Sequence, residues 1–142
     1  MHRFVLKLAY EGTNYHGFQR QEGLRTISGE VEEVLSRLFP GECQNFIGAS
    51  RTDQGVHALG NILSFDTEAE RNPENYERAL NSYLPEDIRV LSAWKKTEDF
   101  HPRFTRHTKE YRYSIDRARL ENPLYQRLYY HYTFPLDLAM IR

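Results

Sequence analysis

Between residues 4 and 10 apolar and polar side chains alternate well enough to predict a first strand, which the turn-forming run Glu11-Gly12-Thr13-Asn14 ends. The period then lengthens. Ile27, Val31, Val34, Leu35 and Leu38 fall at helical spacing on one face, with Thr26 or Ser28 available as the cap and Pro40-Gly41 as the stop. Residues 45–49 and 61–66 read as two strands joined by the polar, glycine-containing stretch 50–60. Asn72-Pro73 opens a second helix through Tyr76, Ala79, Leu80 and Tyr83, and Pro85-Glu86-Asp87 closes it before a strand over 88–94.

The order β-α-β-β-α-β predicts an α+β fold, the ferredoxin-like split βαβ. It has an antiparallel sheet with both helices on one face and the other face free to meet a ligand. A further strand over 110–116 is expected to extend that sheet. Near the end, Thr133-Phe134-Pro135-Leu136-Asp137-Leu138-Ala139-Met140-Ile141 reads as a helix start with proline in its first turn. Leu136, Met140 and Ile141 then form an apolar face with nothing after it to finish burying it, so a truncated chain is expected.

Composition fits that picture. The chain has 142 residues, 39% hydrophobic and 27% charged, without repeats or low-complexity tracts, which suits one compact domain. No apolar run approaches the roughly 20 residues that cross a bilayer, and Arg3 and Lys7 interrupt what would be a signal peptide's apolar stretch. A cytoplasmic location is expected. The single cysteine, Cys43, cannot form an internal disulfide and reads as a small buried hydrophobe in a strand; no zinc pattern is present.

The net charge of −1 hides an uneven distribution. Residues 101–130 hold seven basic side chains (Arg103, Arg106, Lys109, Arg112, Arg117, Arg119, Arg127) against Glu110, Asp116 and Glu121, a local balance of +4 that leaves −5 for the remainder. Phe104, Tyr111, Tyr113, Tyr125, Tyr129 and Tyr130 lie among them. Interleaved cations and rings suit RNA, whose phosphates pair with the former while unpaired bases stack on the latter. They equally suit a strand with an aromatic core face and a solvated basic face.

The densest cluster of reactive groups is Ser50-Arg51-Thr52-Asp53-Gln54-Gly55-Val56-His57, held between two strands. Arg51, two residues before Asp53, can neutralise it or hold a phosphate, and Gly55 allows a sharp turn or close approach by a substrate. One carboxylate beside a cation serves as a nucleophile or a base, but the second acid of an ordinary glycosidase is missing. Asp53 and His57 would share a metal only on a helix, which Gly55 and the flanking strands argue against. No Ser-His-Asp order, Cys-His pair or glycine-rich phosphate loop is readable. The loop can also be structural, with Asp53 bonding backbone amides two residues on and Arg51 pairing with it.

The string Ala49-Ser50-Arg51-Thr52-Asp53-Gln54-Gly55-Val56-His57-Ala58 resembles the signature loop of the TruA-type tRNA pseudouridine synthases, R-T-D-x-G-V-H. Three more segments agree in order and spacing: Tyr10-Glu11-Gly12-Thr13-Asn14-Tyr15-His16-Gly17-Phe18-Gln19-Arg20-Gln21, residues 81–91, and Phe100-His101-Pro102-Arg103-Phe104 through Lys109-Glu110-Tyr111-Arg112-Tyr113. The resemblance implies a ferredoxin-like core and an isomerase that converts uridine to pseudouridine in the tRNA anticodon stem-loop (tRNA positions 38, 39 and/or 40). It implies no metal or organic cofactor, and a cytoplasmic homodimer as the working form.

Carried over position by position, Asp53 is the catalytic carboxylate, Arg51 helps position the flipped nucleotide, and Tyr111 lies against the target base. Arg20, Gln19 and Gln21 belong to an RNA-contacting loop. His57 and Arg103 complete the substrate-binding set; His57 and His101 read as hydrogen-bonding loop residues, not as acid–base catalysts. Asp53 would add to the base, attack the ribose anomeric carbon or remove a ribose proton, and the sequence leaves all three open. Ser28, Ser50 and Gln54 depart from the family's usual residues without touching this chemistry. Residues 1–118 are expected to form the N-terminal domain with its catalytic loop at 49–60, and 119–142 to begin the connection to a second, missing C-terminal domain. Without that half the site is open to water. The alternatives are a noncatalytic RNA-binding module, in which Asp53 is dispensable, and a metal-assisted hydrolase using Asp53 and His57, which a chelator would silence.

Overall fold

The computed structural model describes residues 1–141. The chain forms two compact units, Met1–Arg106 and a second that begins at His107. In the first unit the elements run β1 (His2–Tyr10), α1 (Ile27–Leu38), β2 (Cys43–Gly48), β3 (Ala58–Thr67), α2 (Pro73–Tyr83) and β4 (Ile88–Lys96). The sheet order is β2-β3-β1-β4 with every neighbouring pair antiparallel, so the expected α+β, split-βαβ arrangement is present.

Alternation along β1 decides which face is the core. Phe4, Leu6 and Leu8 are fully buried, and across the ladder Phe4 stands opposite Phe65 and Leu6 opposite Leu63. Ile27, Val31, Val34 and Leu35 of α1 and Tyr76 and Leu80 of α2 belong to the same cluster, at the helical spacing that makes one apolar stripe. Tyr76 packs edge-on against Phe4, Phe39 and Phe65, with ring centroids 4.9–5.2 Å apart.

Local chemistry sets the helix ends. The Thr26 hydroxyl accepts the Gly29 amide at 3.1 Å, and the Asn72 side chain accepts the Glu74 amide at 3.1 Å with Pro73 following it. Cys43 opens β2 half-buried against the core, and desolvation, helped by the negative charge of Glu42, pushes its thiol up to about 11.

The opposite face is partly covered, where the pattern predicts it free. Arg3 donates to both carboxylate oxygens of Asp66 at 2.8 Å and to the carbonyls of Glu98 and Phe100 at 2.8 and 2.6 Å. Asn45 adds a third bond to Asp66. The chain after β4 therefore lies over this face at Arg3, and Val5 is only 2% exposed there. Farther along, Arg103 donates to the carbonyl of Gly48 at 2.9 Å.

The second unit is sparer. Among its described residues the regular structure is one parallel pair, β5 (Ile115–Asp116) with β6 (Tyr130–His131), and turns account for much of the rest. The strand expected over 110–116 forms only at its last two residues, and it pairs with β6, not with the four-stranded sheet. A strand needs a partner for its backbone groups, and alternating tyrosines do not supply one. The helix expected from Thr133 is absent; a turn from Asp137 to Met140 stands in its place, as the marginal stability of a helix that short explains. No helix among the described residues is long and apolar enough to cross a membrane.

Candidate active site

The link between β2 and β3 continues the sheet for one bond, from the Ala49 amide to the Ile62 carbonyl at 2.7 Å, and then leaves it. What holds the departing chain is Asn61, a polar residue inside β3 that is 7% exposed. Its amide oxygen accepts the Ile62 N–H at 2.9 Å, which fixes the orientation of the group, and its amide nitrogen donates to the Ser50 carbonyl at 2.8 Å and to the Tyr10 hydroxyl at 3.1 Å. Both donors and the acceptor are thus used. The Tyr10 hydroxyl meets the Thr52 hydroxyl at 2.7 Å. Burial pushes the Tyr10 phenol above its ordinary pKa against the opposing pull of the Thr52 and Asn61 bonds, so it stays neutral near pH 7.

A second set of bonds comes from the loop after β1. The Phe18 amide donates to the Thr52 carbonyl at 3.0 Å, and Gly17, at φ 83°, lies where a Cβ would come 2.9 Å from that carbonyl oxygen. Gly12 sits closer still: a Cβ there would collide with the Val56 carbonyl, and its amide donates to His57 Nδ1 at 2.8 Å. Only glycine fits these approaches. The loop is itself fixed from behind. Tyr15, 1% exposed, bonds Asp87 through its hydroxyl, Arg25 covers its ring at 4.7 Å, and the Ile27 and Ser28 amides donate to the Gly17 and Phe18 carbonyls. Burial, reinforced by the Asp87 carboxylate, pushes the Tyr15 phenol strongly up.

Within the link the residues alternate in role. Ser50, Thr52, Val56 and His57 are held, whereas Arg51, Asp53 and Gln54 are exposed. The turn from Asp53 to Val56 closes on a 3.2 Å backbone bond with Gly55 at φ 78°. Arg51, Thr52, Asp53 and Gln54 form one side of an open depression of about 300 Å³, and residues of the loop after β1, among them His16, Gln19, Gln21 and Leu24, form the other. Among the described residues neither Arg51 nor Asp53 makes a side-chain hydrogen bond or ion pair, and the two do not pair with each other. The carboxylate and the guanidinium are therefore free to engage an external group, and the glutamine amides around them supply donors and acceptors.

The structure thus brings Asp53, Arg51, Gln19 and Gln21 to one depression. Arg20 belongs elsewhere: it donates to Glu32 at 2.8 Å, whose other oxygen accepts the Ser28 hydroxyl at 2.6 Å at the start of α1. His57 presents Nδ1 to a backbone amide, and Arg103 bonds the end of β2. Tyr111 is part of the second unit and is 67% exposed. Sequence reasoning missed the Tyr10, Asn61 and Thr52 network and the His16 and Leu24 wall. The available signal was Asn61, an amide side chain within a run of strand-forming residues.

A family model described as tRNA pseudouridine synthase matches residues 8–105, which include both loops that line the depression. A tRNA pseudouridine synthase A of Streptococcus equi subsp. equi is 40% identical over 142 residues, covering 100% of this chain and 57% of that protein. Proteins of the same description from Streptococcus thermophilus and Streptococcus sanguinis are each 39% identical, over 142 and 141 residues, again covering 57% of their length in the first case. The chain spans a little over half the length of the curated relatives it matches.

Proposed function

This chain belongs to the tRNA pseudouridine synthase family, and from that premise we propose that it carries the catalytic carboxylate, Asp53, of an enzyme that isomerises uridine to pseudouridine in tRNA. The observation that carries the reading is the loop itself. A carboxylate with no partner among the described residues stands at a depression beside an unpaired arginine, on a backbone held at the residues around it.

The reaction asks for little more from the carboxylate. The C1′–N1 bond of the nucleotide breaks, the uracil turns in the site, and a C1′–C5 bond forms; the C5 hydrogen leaves as a proton and N1 gains one. Asp53 serves by adding to the base, by attacking C1′ or by taking a ribose proton, and each role needs it unpaired beforehand. Arg51 neutralises a backbone phosphate or fills the space left in the stack when the nucleotide turns outward, an event that costs a few kcal/mol in a helical stem. Gln19, Gln21 and Gln54 have the amide groups that hydrogen-bond a uracil edge. Tyr111 is assigned to the base and His57 to loop geometry. Residues 119 onward are assigned to a connection with a second domain, and the remaining length of the relatives is taken to close the depression against water. The substrate site is assigned to the anticodon stem-loop.

Carbodiimide labelling and primer extension on tRNA incubated with the full-length protein tests this reading. New stops confined to uridines of the anticodon stem-loop are expected. Stops elsewhere in the tRNA would overturn the assigned position, and none at all would overturn the activity.

A further inference from the structure

The three polar groups behind the catalytic loop have a feature that core packing does not require. Tyr10, Thr52 and Asn61 come from β1, the loop and β3, with Tyr10 42 residues from Thr52 and 51 from Asn61 in sequence, and form a continuous chain of hydrogen bonds in a largely buried position. A phenylalanine, a valine and a leucine would fill similar space without needing partners. The bonds end on the backbone carbonyl of Ser50 and on the side chain of Thr52, the residues flanking Arg51, and Thr52 directly precedes Asp53. The outer side of the same backbone is held by the Phe18 amide on the Thr52 carbonyl. The segment is fixed from two sides while its functional side chains stay unbonded.

We propose that Tyr10 and Asn61 are positioning residues, which act through Thr52 and Ser50 to hold the Asp53 carboxylate and the Arg51 guanidinium in the geometry that catalysis needs. This rests on the reading of Asp53 as the catalytic carboxylate. Neither residue touches substrate. Their effect is on the fraction of molecules whose carboxylate is correctly placed, and a displacement of about 1 Å at a reacting group costs on the order of a hundredfold in rate. Tyr10 shares a hydroxyl–hydroxyl bond with Thr52 and accepts from Asn61, so removing its oxygen frees the Thr52 hydroxyl and leaves one Asn61 N–H unpaired.

The test compares Tyr10→Phe with the wild type in the full-length protein, using tritium release from C5-labelled uridine in tRNA, amide exchange and thermal unfolding. A kcat roughly ten- to a hundredfold lower is expected, with KM for tRNA within about twofold. The Phe18 and Val56 amides, which bond the loop carbonyls of Thr52 and Asp53, should exchange at least about tenfold faster while the amides of β1 and β3 stay protected. Unchanged exchange at those two amides, or a raised KM with unchanged kcat, would overturn the proposal. So would a uniform loss of protection in both Tyr10→Phe and Thr52→Val, which would reduce the network to core stability.

Asp53→Asn measured alongside separates the two claims. If it is inactive while Tyr10→Phe is fully active, positioning alone falls. If Asp53→Asn is fully active the functional reading falls, and the exchange data still decide whether the network holds the loop.

Discussion

The two units of this chain are built from similar residues and end in different states. In Met1–Arg106 the large apolar side chains of two helices and four strands meet in one cluster, with Phe4, Leu6, Leu8, Leu63 and Phe65 fully buried. The unit that begins at His107 has six tyrosines and several leucines, yet no apolar side chain among its described residues is buried. Tyr113, at 91% exposed, is its extreme. Hydrophobic content is therefore not what separates them. The first unit repeats its apolar residues at the periods of strands and helices, so that faces form and meet; the second lacks a sustained period, and below roughly 40 residues a stretch of chain seldom buries enough surface to fold alone.

The sharpest way to break this comparison is to separate the units. Residues 1–106 alone should unfold cooperatively, within a few degrees of the longer chain, whereas the segment from 107 onward alone should show no cooperative transition by circular dichroism. A cooperative transition in the isolated segment would contradict the contrast. The next effect is a matched pair of truncations. Phe65→Ala should lower the stability of the first unit by about 3–5 kcal/mol in urea unfolding, since the ring is fully buried among Phe4, Phe46 and Tyr76. Tyr113→Ala should stay within about 0.5 kcal/mol.

A smaller effect is expected from acid. The Arg3 guanidinium, against a lesser opposing effect of burial and with help from Asn45, holds the Asp66 carboxyl below the usual carboxylate range. A depressed native pKa contributes stability that is present above the unfolded value, near 4, and is lost as pH falls from there through the lower native value. Denaturant midpoints measured from pH 5 downward should drop less in Arg3→Met paired with Asp66→Asn than in the wild type. An equal drop would remove this pair from the account.

Much of the first unit was readable in the sequence because its signals are local. Thr26 and Asn72 cap the helices where their side chains suggest, and the strands fall within a few residues of their apolar runs. The boundaries that moved are those set by pairing: β3 begins at Ala58, inside the stretch assigned to the loop, because residues of β1 across the ladder recruit it despite Gly60. The family motif located Asp53 and Arg51, but not what holds them. Tyr10 and Asn61 meet only after two strands pair, and Arg20 bonds Glu32 only because α1 turns Glu32 toward it, so no short-range pattern announces either contact. The strand expected over 110–116 forms only at Ile115 and Asp116 for the complementary reason, an alternation that meets a partner strand at those two residues alone.

The central claim is that the first unit presents Asp53 as the reacting carboxylate. Its most direct test is single-turnover tritium release from C5-labelled uridine in tRNA, comparing the full-length wild type with Asp53→Asn, alongside tRNA affinity and thermal unfolding. The account predicts release from the wild type that falls by at least about a thousandfold in the variant, with affinity and unfolding temperature nearly unchanged. Release from Asp53→Asn at the wild-type rate would contradict it.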